Sequence, residues 1–264
     1  MTSLLLTLLA HGLADFVLQS ERTVHRKENR DWLGFLGHGL TVFFSGFLLL
    51  IGYEWTTVLP YAGIITMSHI IIDMIKIVLG SRRPAKDLAW FLGDQLIHLT
   101  IILMVWQHFQ FQPSEVFLKF STFLLTPTAV ATFSRSFPKE GWAFHSILSC
   151  LLVYIYTCWG GGFFIKKVLT ALQAQMLAGS PKPDKERLQH TGFWIGALER
   201  FIIITLVLNN ALTAVAFIFT AKSIARFSEL NDQAFAEYYL TGTLLSTALG
   251  IAGGYFLLWL IAWV

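Results

Sequence analysis

The chain has 264 residues, of which 55% are hydrophobic and 13% are charged, and its mean hydropathy is +0.61. Because a soluble domain carries about 25% charged residues, this composition excludes an ordinary soluble protein and predicts an all-α, polytopic membrane helix bundle. The formal net charge of +3 is explained below by membrane topology, so no nucleic-acid partner is predicted.

Runs of about 20 apolar residues are typical of membrane-spanning helices. They predict eight transmembrane helices, at residues 2–19, 33–53, 58–79, 88–107, 142–165, 193–208, 209–222 and 240–263. Asn209 and Asn210 either form a tight turn between two short spans or lie inside one bent helix, which would make the number seven. The run 117–133 contains Pro127. We interpret this run as re-entrant or interfacial, because a ninth span there would upset the charge pattern.

A polar stretch at 179–190 is the natural boundary between two halves of the chain. It predicts an N-terminal membrane half at 1–178, a cytoplasmic linker at 179–192 and a C-terminal membrane half at 193–264. The two halves are expected to form one integrated bundle.

Lysine and arginine residues lie mainly on one side of this topology. Four segments hold most of them: 20–31, 80–87, 166–192 and 222–236. The opposite loops hold only Lys119, Arg135 and Lys139. Because cytoplasmic loops carry an excess of these residues, both termini are predicted to lie outside the cytoplasm. The first span carries His11 and Asp15 and has no clear cleavage motif, which argues against a discarded signal peptide.

Three apolar segments each carry a histidine and an aspartate four residues apart. The pairs are His11 with Asp15, His69 with Asp73, and Asp94 with His98. Residues at this spacing share one face of a helix. Ionisable groups inside a membrane span are costly and usually mark a site, a relay or an ion path. The predicted topology places all three pairs, together with His38, in one layer of the inner half of the membrane.

Carboxylates and neutral imidazoles at helical spacing form a common metal-ligand pattern. The candidate metal ligands are His11, Asp15, His38, His69, Asp73, Asp94 and His98. They suit a divalent metal, with Zn or Mn favoured, and their number makes a two-ion site reasonable. Two alternatives stay open: Asp–His hydrogen bonds that join helices, and a proton or ion path.

The second half adds basic, acidic and hydroxyl groups at the same predicted depth. The candidate catalytic residues are Lys76, Glu199 and Arg200. The candidate substrate-binding residues are Lys222, Arg226, Glu237, Tyr238, Thr243 and Ser246, because basic side chains beside hydroxyls suit phosphate binding. Snorkelling of the lysine and arginine side chains to the lipid headgroups is the alternative for Lys222 and Arg226. For Arg200 the alternative is a structural ion pair with a buried carboxylate.

Six strings of the sequence carry a family resemblance: HGLADFVLQ at 11–19, HIIID at 69–73, DQLIH at 94–98, GALERF at 196–201, AKSIARF at 221–227 and EYYLTGTLLS at 237–246. Together they span most of the chain and resemble DUF3307, a family of bacterial inner-membrane proteins known only as a domain of unknown function. The resemblance implies a fold, a site and a location in the inner membrane, but no activity. HIIID within a span has a looser similarity to membrane-bound metal-dependent hydrolases, which is an analogy.

These observations favour a membrane-embedded hydrolase that uses a divalent metal to cleave a phosphate or other ester. Its substrate would be a lipid-linked or phosphorylated small molecule reached from the cytoplasmic side, and membrane lipids would be its other partners. Two other functions remain open, a proton-coupled or metal-ion transporter that uses the same layer and a noncatalytic membrane scaffold.

Overall fold

The structure, a computed structural model, describes residues 1–80, 87–115, 142–176 and 186–263. Every regular element in these ranges is helical, as the composition predicts. The helices are α1 (Thr2–Gly12), α2 (Glu21–Glu28), α3 (Trp32–Leu49), α4 (Trp55–Gly80), α5 (Asp87–Trp106), α6 (Trp142–Ile155), α7 (Gly161–Met176), α8 (Glu186–Leu208), α9 (Ala214–Ala225) and α10 (Gln233–Trp263). Two π-helical turns, Leu13–Val17 and Tyr156–Gly160, continue α1 and join α6 to α7.

Within the described residues, five helical segments are long and apolar enough to cross a membrane. They are Trp32–Leu49, Trp55–Leu79, Asp87–Trp106, Phe144–Leu172 and Phe235–Ala262. A sixth span results if the bent pair Thr2–Val17 and Glu21–Glu28 is counted as one. The chain is therefore an all-helical protein with the character of a membrane protein, while the predicted number of eight spans is not confirmed.

Three predicted spans are not among the five: 2–19, which passes only as part of the bent pair, and 193–208 and 209–222 in the second half of the chain. Helix α9 has 12 residues, which at about 1.5 Å per residue is roughly 18 Å long, well short of a hydrocarbon core of about 30 Å. Asn210 adopts a positive φ of 54°, and α8 ends two residues before it. The two asparagines thus form a turn between two helices, which was one of the two predicted alternatives. The segment 117–133 and most of the linker 179–192 lie outside the described residues.

Packing divides the chain into two compact units, Met1–Leu152 and Val153–Trp263. In the first unit α3 packs against α1 and α4, and α4 packs against α5. Leu9, Val42 and Ile102 are among its buried apolar side chains. Helices α3 and α4 approach closely at Gly39, where a Cβ would lie 2.5 Å from the Cδ1 of Ile70.

The chain bends by nearly a right angle after the first helix and its π-helical turn. The directions of Thr2–Val17 and α2 differ by 83°, and α2 then packs against α3. Ser20 caps α2 by accepting a hydrogen bond from the Thr23 amide at 3.2 Å, and the Asp31 carboxylate caps α3. A Cβ at Gly34 would lie 2.8 Å from the Lys27 backbone nitrogen. The missing side chain therefore allows α2 to lie directly on α3.

In the second unit α8 packs along α10. Gly250 and Gly254 of α10 face Ile203 and Val207 of α8, and a Cβ at Gly254 would lie 2.6 Å from the Cβ of Val207. Small residues that bring helix backbones together are typical of helix packing inside membranes.

Candidate metal centre

All seven predicted metal-ligand residues lie in the first unit, and the structure brings their side chains together. His11 comes from α1, Asp15 from the π-helical turn after it, and His38 from α3. Helix α4 supplies His69 and Asp73, and α5 supplies Asp94 and His98. Six of the residues are buried, and the Asp15 side chain is 8% exposed. The helices of the first unit therefore place these polar side chains in one buried cluster, as their spacing in the apolar segments predicts.

Three donor atoms of this cluster form a compact triangle. The Nε2 atoms of His38 and His69 are 2.9 Å apart. The Oδ1 atom of Asp15 lies 3.3 Å from the first and 3.2 Å from the second. Zinc–ligand bonds of about 2.0–2.2 Å in a tetrahedron place donor atoms about 3.3–3.6 Å apart. The two sides that end at Asp15 are close to this spacing, and the third side, at 2.9 Å, is a hydrogen-bond distance between the two imidazoles.

Asp73 faces the same point from slightly farther away. Its Oδ2 atom lies 3.7 Å from His38 Nε2 and 3.9 Å from His69 Nε2. Oδ2 also accepts a hydrogen bond from Lys27 Nζ at 2.6 Å. Asp73 therefore lies beside the triangle, near its two imidazole nitrogens, and the ammonium group of Lys27 holds it there.

A second group of donors adjoins the first. The His98 ring stacks on His69, with centroids 3.9 Å apart and planes 8° apart. Its Nδ1 lies 3.8 Å from Asp94 Oδ1. Neither nitrogen of His98 has a hydrogen-bond partner among the described residues, and neither has Asp94 Oδ1. Buried polar atoms are seldom left without a partner, so this group is suited to take up a proton, a water molecule or an ion.

Besides the triangle, three sets of these residues place their donor atoms close enough to hold a metal ion. Within a set the atoms lie within 4.8 Å of one another, and the sets are His11–Asp15–His69, His38–His69–Asp73 and Asp73–Asp94–His98. The first and second sets share His69, and the second and third share Asp73. The donor chemistry, imidazole nitrogen with carboxylate oxygen, suits zinc or manganese.

The charges of the cluster leave it short of positive charge. Lys27 pairs with Asp73, and Lys76 pairs with Asp94 at 2.8 Å. The Asp15 carboxylate has polar contacts with three histidines and with the Gln95 amide, and no lysine or arginine of the described residues lies within 4.0 Å of it. With neutral imidazoles the three carboxylates therefore exceed the two ammonium groups by one negative charge. A buried carboxylate without a countercharge is costly, so the cluster favours one more positive charge, either on a protonated imidazole or on a bound cation.

Lys27 is the member that the sequence analysis missed. It is 6% exposed, although it lies in a polar eight-residue helix that we assigned to a cytoplasmic segment. The only signal in the sequence is its position in the last turn of a helix with a Ser20 cap. Lys76, predicted as a catalytic residue, does reach the cluster through Asp94.

A small cavity adjoins the cluster at His11. Its volume is about 20 Å³, and Thr7, Val42 and Tyr61 also line it. A cavity of roughly 10–15 Å³ or more is enough for one water molecule. Tyr61 donates a hydrogen bond to the Thr7 hydroxyl at 3.2 Å across this space.

The predicted groups of the second half have partners within the second unit. Glu199 accepts from Lys222 Nζ at 2.8 Å, and Arg226 pairs with Glu229 on the next turn. Glu237 accepts from the side chain of Gln233. Three further predicted residues lie in α10: Tyr238, which is partly buried, and Thr243 and Ser246, which are buried. Their roles in substrate binding stay predictions.

Arg200 has partners other than the expected carboxylate. It is 2% exposed and donates to the backbone oxygens of Thr157 and Cys158 at 2.9 and 2.6 Å, and to the Ser246 hydroxyl at 3.0 Å. No carboxylate of the described residues lies within 4.0 Å of the guanidinium, so the alternative of a structural ion pair is not observed in this part of the chain. The reason is the π-helical turn Tyr156–Gly160, whose carbonyl groups accept from the guanidinium.

A comparison with curated proteins gave no match, and a comparison with solved structures gave none. Residues 3–125 match the family described as Protein of unknown function (DUF3307). This range contains every residue of the polar cluster, whereas the strings at 196–201, 221–227 and 237–246 lie beyond it. The match confirms, over residues 3–125, the resemblance to the DUF3307 family that the N-terminal motifs indicated.

Proposed function

We propose that the chain is a membrane-embedded, metal-dependent hydrolase of a phosphate or other ester in a membrane-associated substrate. The observation that supports this function best is the triangle of His38 Nε2, His69 Nε2 and Asp15 Oδ1, with sides of 2.9, 3.2 and 3.3 Å. Two imidazoles and one carboxylate leave a fourth coordination position, which is typical of catalytic zinc sites.

Asp73 Oδ2 lies beside this triangle, 3.7 and 3.9 Å from its two Nε2 atoms. A divalent ion held by the triangle would lower the pKa of a bound water and polarise the ester. Asp73 is placed to accept a proton from that water. In the hydrolysis the oxygen of this water would bond to the phosphorus or carbonyl carbon as the bond to the leaving oxygen breaks, and Asp73 would return the proton so that an alcohol leaves. Lys76 and the Asp94–His98 pair supply further charge beside this point.

Metal analysis of the purified full chain tests the proposal. After mild, chelator-free purification in detergent, elemental analysis is expected to find at least one equivalent of Zn or Mn per chain. The metal should be released as the pH falls, because protons compete with metal ions for imidazole nitrogen. The loaded protein should hydrolyse p-nitrophenyl phosphate or a phosphorylated lipid in mixed micelles. Absence of metal from protein purified in this way, with none regained on addition of Zn or Mn, would contradict the proposal.

A metal-ion or proton carrier is the second candidate, and one observation favours it. Four imidazoles follow one another through the cluster: the ring centroids are 4.9 Å apart for His38 and His69, 3.9 Å for His69 and His98, and 5.3 Å for His98 and His11. Such a chain is suited to moving protons. Proteoliposomes that accumulate Zn or Mn in response to a pH gradient would favour the carrier over the hydrolase.

We also propose that the protein lies in the bacterial inner membrane with both termini on the periplasmic side and the segment 179–190 in the cytoplasm. The distribution of lysine and arginine supports this orientation. A reporter that is active only in the periplasm is expected to give a signal when fused at residue 264. A reporter that is active only in the cytoplasm should give a signal when fused near residue 185. The reverse pattern would place the polar cluster near the opposite face of the membrane.

A further inference from the structure

We infer that Lys27 is a positioning residue that keeps Asp73 from coordinating the metal ion and so leaves one coordination position to water. This inference rests on the proposed function, because it assumes an ion at the triangle of His38, His69 and Asp15. It assigns a role to a residue on a short polar helix that contributes no metal ligand.

The distances separate Asp73 from the three closer donors. The triangle has sides of 2.9–3.3 Å, whereas Asp73 Oδ2 is 3.7 and 3.9 Å from the two Nε2 atoms. The same Oδ2 atom accepts from Lys27 Nζ at 2.6 Å. Without the ammonium group, a small movement of Asp73 would bring this oxygen into the fourth position of a tetrahedral site. A site with four protein ligands is closed and typical of structural zinc.

Lys27 is held in place by the local fold. Helix α2 lies against α3 at Gly34, where a Cβ would lie 2.8 Å from the Lys27 backbone nitrogen. The Gln19 side-chain oxygen, in the amide orientation that satisfies both of its polar atoms, accepts from Lys27 Nζ at 2.5 Å. Asp73 and Gln19 thus fix the ammonium from two sides. An ordered ammonium can direct a carboxylate in a way that a mobile surface lysine cannot.

Lys76 provides the matched comparison within the cluster. It makes a similar bond, 2.8 Å to Asp94 Oδ2, but its side chain is 33% exposed. Asp94 lies beside His98 rather than in the triangle. Removal of Lys76 therefore removes one positive charge from the cluster without releasing a carboxylate into the fourth position.

The test is a titration of detergent-purified full-length protein with Mn²⁺ alone. Free Mn²⁺ is measured by electron paramagnetic resonance, and water bound to the ion by the relaxation rate of water protons. Lys27→Met is expected to bind Mn²⁺ at least tenfold more tightly than the unsubstituted protein and to lose a measurable part of the relaxation enhancement, because Asp73 replaces one of the waters on an ion that prefers six ligands. Lys76→Met should retain the enhancement, as should Lys27→Arg and the exposed control Lys166→Met.

Three outcomes would overturn the inference. Unchanged or weaker binding by Lys27→Met would show that Lys27 does not hold Asp73 away from the ion. Tighter binding with an unchanged relaxation enhancement would show that Lys27 acts only by charge repulsion. An equal loss of enhancement in Lys76→Met would show that the effect is not specific to Asp73. If Lys27→Met is not recovered folded, Lys27→Gln takes its place in the same titration, with the same expected direction. Failure of the unsubstituted protein and all variants to bind Mn²⁺ or Zn²⁺ would instead reject the proposed function.

Discussion

Replacement of His69 by alanine is expected to lower metal affinity at least about 100-fold, which corresponds to about 2.7 kcal/mol of binding free energy. His69 is the central residue of the cluster. Its Nε2 lies 2.9 Å from His38 and 3.2 Å from Asp15, and its ring stacks on His98. Loss of this imidazole removes one of three close donors and leaves a space beside the remaining two. Even residues that only orient metal ligands contribute about 10–100-fold in affinity.

The measurement is Zn²⁺ affinity by competition with a chromophoric chelator, together with the metal-dependent rise in thermal stability. His108→Ala is the matched control, because His108 belongs to the same unit and is exposed. The unsubstituted protein and the control should be stabilised by added Zn²⁺, whereas His69→Ala should not. A His69→Ala protein that is folded and binds Zn²⁺ with undiminished affinity would rule out the triangle as the metal site.

Replacement of Arg200 by methionine is expected to destabilise the protein by about 3 kcal/mol or more, since a buried polar group left without its partner costs about 1–3 kcal/mol. The guanidinium donates to two backbone oxygens and one hydroxyl. The glycines around it allow close contact: a Cβ at Gly162 would lie 2.9 Å from Arg200 Nη2, and one at Gly196 would lie 3.0 Å from Nη1. Methionine fills part of this space but donates no hydrogen bond.

Thermal unfolding in detergent measures this effect, with Arg226→Met as the control. Arg226 pairs with Glu229 at a more exposed position, and such pairs contribute about 0–1 kcal/mol. Arg200→Lys should restore only part of the stability, because one ammonium cannot reproduce the planar fork of donors. Equal midpoints for Arg200→Met and the unsubstituted protein would show that the guanidinium is not needed to hold the π-helical turn.

The polar cluster was predictable because helix geometry converts sequence spacing into direction. His69 and Asp73 lie four residues apart in a continuous α-helix, as do Asp94 and His98. Their shared helix faces and similar predicted depths in the membrane were sufficient to predict that they converge. The tertiary contacts among the histidines, such as the stacking of His69 on His98, depend on helix packing and could not be predicted.

The partners of Lys27 and Arg200 were not predictable for a related reason. Both depend on a departure from regular α-helix, for which apolar periodicity gives no signal. Lys27 reaches Asp73 only because the chain bends by 83° before α2. Arg200 donates to carbonyl groups of the π-helical turn Tyr156–Gly160. For Arg200, a charge in an apolar segment, a buried partner was expected, but backbone carbonyl groups were not the partner considered.

The π-helical turn Leu13–Val17 also determines the rotation, about the helix axis, of the residues that follow it. Closing a turn with one extra residue rotates the chain after it by about 100° relative to an uninterrupted α-helix with 3.6 residues per turn. Asp15 lies inside this turn, and Lys27 lies on the helix beyond it. The directions in which the Asp15 and Lys27 side chains point therefore depend on how many residues the turn contains. Selection on this segment should act more strongly on its length than on the identity of its apolar residues.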